Sequence, residues 1–370
     1  MLAVAISSLL FFAGDIPARP NLPPQVPHQE AKEDPFWVPE EMLAFARKNT
    51  LIAGTNERHI SEALLRALML PADLGGMGIT YSNDRTRTIS DVWLDRKANC
   101  ISLTMAYIML AKQLRIHAVC AESLGVMNWS RVGNLILRHK HVVALVQRDS
   151  QGDLVADFLP STRVRFGNYF LEPMSETRAK SLFYSNCAVE SFLLGDVTGA
   201  REMVQTAIDT DPTSSQAWNI LGVLEKSENN IPEALMAYRI AIHNNPKDVA
   251  ALSNLAVIYK DEGRYFELAR IRTLEKRLRN SDPYYYAFLA SEAIEVGDLK
   301  KAQKYLLNAI KIHPIDPDFY MTLCVVYEVQ QKFSDAIKAL EKARKHALEE
   351  RIEVIDDLIK KMTELKDTGK

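Results

Sequence analysis

The strongest constraint on this chain is a period of 34 residues over its last half. Frames starting at 181, 215, 249, 283 and 317 follow one another with no insertion. The eighth position is small in each: Ala188, Gly222, Ala256, Ala290 and Cys324. The twentieth reads Ala200, Ala234, Leu268, Ala302 and Ala336, and the twenty-seventh Ala207, Ala241, Glu275, Ala309 and Ala343. An aromatic or leucine fills the fourth (Tyr184, Trp218, Leu252, Tyr286, Tyr320), and Pro212, Pro246 and Pro314 stand at the thirty-second. Small residues at fixed points let two antiparallel helices approach closely. Large residues fill the space between neighbouring pairs, and proline stops the second helix. One pair cannot bury its apolar face alone, so the pairs must stack into a solenoid.

On these positions residues 181–350 resemble a tetratricopeptide array, with Trp218, Leu221, Gly222, Ala234, Tyr238, Ala241 and Pro246 matching best. The third frame departs at Leu268 and Glu275 and lacks the proline. The resemblance implies five repeats (181–214, 215–248, 249–282, 283–316, 317–350). It also implies a concave face, lined from the first helix of each pair, that binds a protein or peptide. Here that face would include Gln216, Asn219, Ser253, Lys260, Tyr284, Met321 and Glu328, a mixed set unlike a clamp for a C-terminal carboxylate. After 350, apolar residues at 352, 355, 358, 359, 362 and 365 suit a capping helix over 351–370.

A chain of 370 residues has room for two or three domains. Lys and Arg total 45 against 47 for Asp and Glu, so no basic footprint exists to neutralise nucleic-acid phosphates. Cysteines at 100, 120, 187 and 324 form no C-x-x-C pair, and no His/Cys/Asp cluster has ligand spacing. Neither a metal nor a cofactor is expected. Leu2–Ala13 is apolar except for Ser7 and Ser8, shorter than the ~20 residues of a membrane span. Its length fits a signal-peptide h-region within 1–14, although no Lys or Arg precedes it; a buried N-terminal helix is the alternative. The first reading predicts a periplasmic or secreted protein, the second a cytoplasmic one. Seven prolines between Pro17 and Pro39 make 15–37 an extended linker.

Between Trp37 and about 180 the pattern changes to α+β, with helices at 40–48, 60–70 and 90–97 and a Gly-rich turn, LGGMG, at 74–78. Asn99 is a good N-cap, and 101–113 is apolar nearly all round, as a buried helix should be. Cys100 therefore opens a central helix, where free amides and the dipole favour thiolate. The stretches 116–123, 135–147 and 154–158 read as strands, the last two joined by a turn with Ser150, Gln151 and Gly152. His141 and Asp157 fall on adjacent antiparallel strands. A helix-start Cys, a strand His and a strand Asp could form a relay that activates a thiol.

Residues 80–160, especially TRTISDVWLDRKANCISLTMAYIMLAKQL, HVVALV and VADFLP, resemble a bacterial transglutaminase-like domain. The resemblance implies a papain-like α+β domain over 38–180 and a catalytic triad of Cys100, His141 and Asp157, ahead of the all-α solenoid. Arg115 stands where such relatives usually carry glycine. A three-residue loop at 150–152 would set Asp157 opposite Leu145, four residues from His141 and out of reach. A bulge or a longer, staggered loop must then close the gap.

His139 shares a strand face with His141 but lies between Arg138 and Lys140 and reads as solvated. Cys120, Cys187 and Cys324 read as structural, His59 and His117 as partners of nearby polar groups. Trp93 is core or cleft wall, and Trp129 either rims the entrance or packs a loop. Two functions follow. One is thiol-dependent amide or acyl chemistry (peptidase, deamidase or transglutaminase type) on a polypeptide recruited by the repeats. The other is a non-catalytic interaction scaffold with a degenerate thiol domain. On the first, cutting the chain at about 180 is expected to leave Cys100 labelling intact.

Overall fold

A computed structural model of the chain describes residues 34–132, 135–146, 154–158, 171–347 and 349–368. The leader at 1–14, most of the linker at 15–37 and the turn at 150–152 lie outside the described residues. Two compact units are present, one running to Met127 and including His139–Arg272, the other comprising Asn128–Arg138 and Thr273 onward.

In the first unit, α1 (Glu40–Thr50), α2 (Glu57–Met69) and α3 (Ile89–Asp95) precede α4 (Cys100–Gln113). Every residue of α4 from Ile101 to Ala111 is buried, Ser102 and Thr104 included, as its nearly all-round apolar sequence requires. Two short strands, β1 (Thr80–Tyr81) and β2 (Lys97–Ala98), pair in parallel just before it. Strands β3 (Ala118–Val132), β4 (Leu135–Val146), β5 (Leu154–Ala156) and β6 (Leu171–Met174) form a sheet in the order β5-β4-β3-β6. Alternation sorts its side chains. Val142, Ala144, Val146, Leu154 and Ala156 join the core around α4, while Val143, Leu145 and Val155 cluster with Ala121.

The end of α4 shows how a non-glycine takes a glycine conformation. The Ile116 amide donates to the Ala111 carbonyl (2.8 Å) and the Arg115 amide to that of Lys112 (3.2 Å), the bonds of a Schellman cap. Arg115 occupies its left-handed position at φ 60°. The turn is therefore the one glycine makes, and Arg115 carries the strain, about 1 kcal/mol.

Helix pairs follow. In the first unit these are α5 (Glu176–Leu193) with α6 (Val197–Thr210), α7 (Ser215–Ser227) with α8 (Ile231–Asn244), and α9 (Val249–Asp261) with α10 (Tyr265–Asn280), which runs past the unit's end. The boundary expected at 180/181 falls inside α5, and that helix serves two cores. Ala179, Phe183 and Cys187 pack with α4, whereas Ala188 and Val189 pack with α6 and α7. Ala234, Ala237, Tyr238 and Ala241 are the fully buried face of α8. In α10 the positions held elsewhere by alanine are Leu268 and Glu275, and Glu275 is its one fully buried residue. Leu268 is half-buried against Tyr238, Leu255 and Tyr259.

The second unit holds α11 (Pro283–Glu295) with α12 (Leu299–Ile312), α13 (Pro317–Val329) with α14 (Phe333–His346), and α15 (Glu349–Thr368). Ile355 and Met362 of α15 are buried with Tyr320, Cys324, Ala336 and Leu340, so this helix closes the last pair.

Gly222 shows why the eighth position of a repeat is small. A Cβ built there would lie 2.5 Å from Cε1 of the buried Tyr238 ring. Gly222→Ala should therefore destabilise the fold by about 1–3 kcal/mol through overpacking, read as a lower urea midpoint at unchanged m-value. An unchanged midpoint would mean that α7 and α8 can separate freely.

Candidate functional site

The ground beneath Cys100 is built from polar residues that tie the 80–88 segment to α4. Pairing of β1 with β2 continues through the Ser82 amide, which donates to the Ala98 carbonyl (2.9 Å). Thr88 caps α3 in a reciprocal box with Asp91. The Arg87 guanidinium, 4% exposed, bonds both oxygens of Asp84 (2.6 and 2.8 Å) and Asp95 Oδ2 (2.8 Å). Its hydrogen bonds hold Asp84 well below the usual carboxylate range, against the opposing effect of burial. The Arg87 amide donates to Ser102 Oγ (2.8 Å), and Asn99 Oδ1 accepts from the Ser102 amide (3.0 Å), giving α4 its cap.

His141, 5% exposed, meets Asp157, 4% exposed, through Nε2 and Oδ1 at 2.8 Å. Asp157 accepts there, so Nε2 carries a proton and Nδ1 is left for the thiol. The sheet register explains how they meet. Ala144 pairs with Ala156, Leu145 with Val155 and Val146 with Leu154. Continued by one step, that register sets Asp157 opposite Val143, two residues from His141 rather than four. The observed register is thus shifted from the one a three-residue loop at 150–152 would set, and residues 147–153 lie outside those described. A diagonal of this kind is within reach of long side chains.

Cys100 is half-buried. Burial disfavours its thiolate. Hydrogen bonding to His141, the charge of that ring, the Val142 backbone and the Tyr81 hydroxyl together outweigh burial and lower the thiol pKa. His141 is pushed up to about 9: burial works against its cation, but Asp157 and Cys100 more than compensate. Both shifts favour thiolate beside imidazolium. Tyr81 also takes a hydrogen bond from the Cys100 amide, and burial followed by the neighbouring thiolate pushes its own pKa up. Composition and spacing offered no signal for Tyr81, since only the pairing of β1 with β2 brings it to the start of α4.

Other candidates are placed as follows. Cys120, Cys187 and Cys324 are all buried. Trp93 is half-buried against the core, with the Arg96 guanidinium 3.8 Å over its ring and Phe45 beside it. The side chains of His139 and Trp129 lie outside the described residues. His59 lines a shallow depression with Glu62 and Arg66, and His117 a pocket with Lys112 and Glu176. Among the described residues no group of three or more His, Cys, Asp or Glu could hold a metal ion, and no helix is long and apolar enough to cross a membrane.

Five residues expected on the open repeat face are engaged or buried instead. Asn219 accepts from Asn254 Nδ2 (3.0 Å), tying α7 to α9, and Ser253 is buried. Arg351 Nη2 of α15 reaches Met321 Sδ (3.0 Å), and Lys361 Nζ reaches Glu328 Oε1 (2.8 Å). In the first unit α5, α7 and α9 lie side by side, so a residue on their flank meets the next repeat, and in the second unit α15 covers Met321 and Glu328. The Tyr284 hydroxyl donates to Asp316 Oδ2 (3.1 Å), while Gln216 stays partly open and Lys260 is exposed.

Comparison with known proteins supports the repeats. Residues 289–349 match the family model of the tetratricopeptide repeat, and the chain carries such repeats. It is similar to a probable UDP-N-acetylglucosamine–peptide N-acetylglucosaminyltransferase, SPINDLY, of Hordeum vulgare, at 30% identity over 39% of this chain and 16% of that one. A TPR repeat-containing protein of Methanocaldococcus jannaschii is 27% identical over 51% of this chain and 35% of its own length. The peroxisomal targeting signal receptor of Candida albicans is 25% identical over 50% and 33%. The chain thus spans about a third or less of these relatives. Among solved structures, Pseudomonas aeruginosa pilF aligns at 16% identity and a TM-score of 0.27, over 52% of this chain and 89% of that one. None of these matches is a transglutaminase-like or papain-like protein. That part of the resemblance rests on the residues quoted above.

Proposed function

We propose that this chain is a repeat scaffold that binds a polypeptide. The observation that carries the reading is the match of 289–349 to the tetratricopeptide family, in step with the 34-residue period. One relative is named as a peptide N-acetylglucosaminyltransferase and another as a targeting signal receptor. A stack of helix pairs offers an extended surface better matched to a chain than to a small metabolite. The comparisons thus favour the scaffold over an enzyme. The full chain should bind members of an immobilised peptide library with Kd near or below about 100 μM, and Cys100→Ala should not change that affinity. Absence of any binding stronger than about 1 mM would sink the reading.

One observation favours a second reading: the His141–Asp157 bond beside a thiol whose pKa is lowered. On this reading the Cys100 thiolate attacks an amide carbonyl of the bound polypeptide and a C–S bond forms. The His141 imidazolium protonates the departing amine as the C–N bond breaks. Water or an amine then takes the acyl group, returning its proton to His141. The papain-like fold for 38–180 belongs to this reading, and the export reading of residues 1–14 stands beside it as a proposal. Turnover of a bound peptide, followed by ammonia release or amine incorporation, should be lost in His141→Ala and largely kept in His139→Ala. The reverse result would assign the base to His139.

A further inference from the structure

The first helix of the repeats is tied to the cap of α4 through one side chain. Glu190 on α5 is 5% exposed, and its Oε1 accepts from both the amide and the hydroxyl of Thr86, each at 2.7 Å. Thr86 Oγ1 in turn accepts from Asn99 Nδ2 at 2.9 Å. Asn99 Oδ1 accepts from the Ser102 amide at 3.0 Å and caps α4. Thr86 is wholly buried and Asn99 nearly so, so bulk water cannot replace a missing partner.

The direction of this chain of bonds is set at its Glu190 end. Oε1 acts as an acceptor, so the single hydroxyl proton of Thr86 is committed to it. The Thr86 lone pair then faces the Asn99 NH2, which leaves Oδ1, not NH2, at the Ser102 amide. Without Glu190 the hydroxyl proton can turn toward Asn99, and the amide can flip. A flipped amide would present a donor to the Ser102 N–H, and the cap would be lost. Cys100 is the first residue of the helix so capped.

We propose that Glu190 is a positioning residue for the Cys100 thiol, orienting the Asn99 cap of α4 through Thr86; the proposal rests on the thiol reading above. The site looks costly for stability alone. Glu190 Oε2 is buried with no hydrogen-bond partner. Burial pushes the carboxyl up to about 7, against the Thr86 hydrogen bonds and Arg85, while Asp84 raises it further. Cys187, one turn earlier on α5, also feels its charge. A proton on Oε2 leaves Oε1 an acceptor, so the orientation holds in either protonation state.

The test is alkylation of Cys100 by iodoacetamide in the full chain from pH 5 to 9, followed by peptide mass analysis, with thermal unfolding to establish the fold. Glu190→Ala should slow Cys100 about fivefold at pH 6.5, the effect of one lost cap, while Glu190→Gln stays within about twofold of the parent. The rate profile of the alanine variant should also move to higher pH. Should Glu190→Ala fail to fold, Thr86→Val and Thr86→Ser decide: the valine variant slowed, the serine variant as fast as the parent. Parent-like profiles in folded Glu190→Ala and Thr86→Val would overturn the positioning role. If Cys100 of the parent reacts no faster than Cys324, the thiol reading itself fails and this proposal falls with it.

Discussion

At pH 6.5, Cys100 should react with iodoacetamide about a hundredfold or more faster than each of the other three cysteines. The thiolate is the nucleophile, so rate follows thiolate fraction and access. Burial pushes Cys324 up to about 11, and burial also raises Cys120 and Cys187 well above an ordinary thiol. At Cys100 burial acts in the same direction but is outweighed by His141, the Val142 backbone and Tyr81. Its lowered pKa keeps thiolate present as pH falls below the ordinary ~8.5. His141, raised to about 9, stays cationic through neutrality. Above that pH the imidazolium is lost, so turnover that needs a proton donor should decline near pH 9 while alkylation continues. His141→Ala should remove the largest part of the compensation and let burial outweigh what Val142 and Tyr81 supply, making Cys100 slower than a free thiol. Equal labelling of all four cysteines would remove the thiol centre from consideration.

The second large effect concerns where the chain can be cut. A protein ending at residue 180 should lose cooperative unfolding altogether. The cut removes Phe183, 3% exposed, whose ring lies 5.1 Å from that of Phe36, together with Cys187 and Glu190. Losing one buried Phe costs about 3–5 kcal/mol, comparable with the whole stability of a small domain. The sequence-based expectation that Cys100 labelling survives such a cut is therefore replaced. A piece ending at 248, which keeps α5 with two helix pairs, should melt cooperatively and retain Cys100 reactivity. Circular dichroism melts of both pieces would check this. A sharp transition for the 180-residue piece would show that α5 is dispensable to the core around α4.

Repeats were legible because their constraint is local and recurs: a small residue wherever two helices cross, as at Gly222 against Tyr238, leaves the same mark every 34 residues. The start of α4 was legible for a similar reason. Asn99 followed by an apolar run names a cap and a buried helix without reference to the rest of the chain. Cys100, His141 and Asp157 could be named from residue type and order on those elements.

How those three approach one another was decided only in the folded protein. The pairing of Leu145 with Val155, set by cross-strand packing, brings Asp157 two residues nearer His141 than the short-loop register would. Tyr81 and Glu190 are separated in sequence from Cys100 and carry no motif. Tyr81 comes to Cys100 because β1 pairs with β2, and Glu190 reaches the Asn99 cap through Thr86 because α5 packs on α4. Periodicity and capping record what each residue needs from its near neighbours. A contact closed between separate elements depends on which faces are buried together, and that only tertiary packing settles.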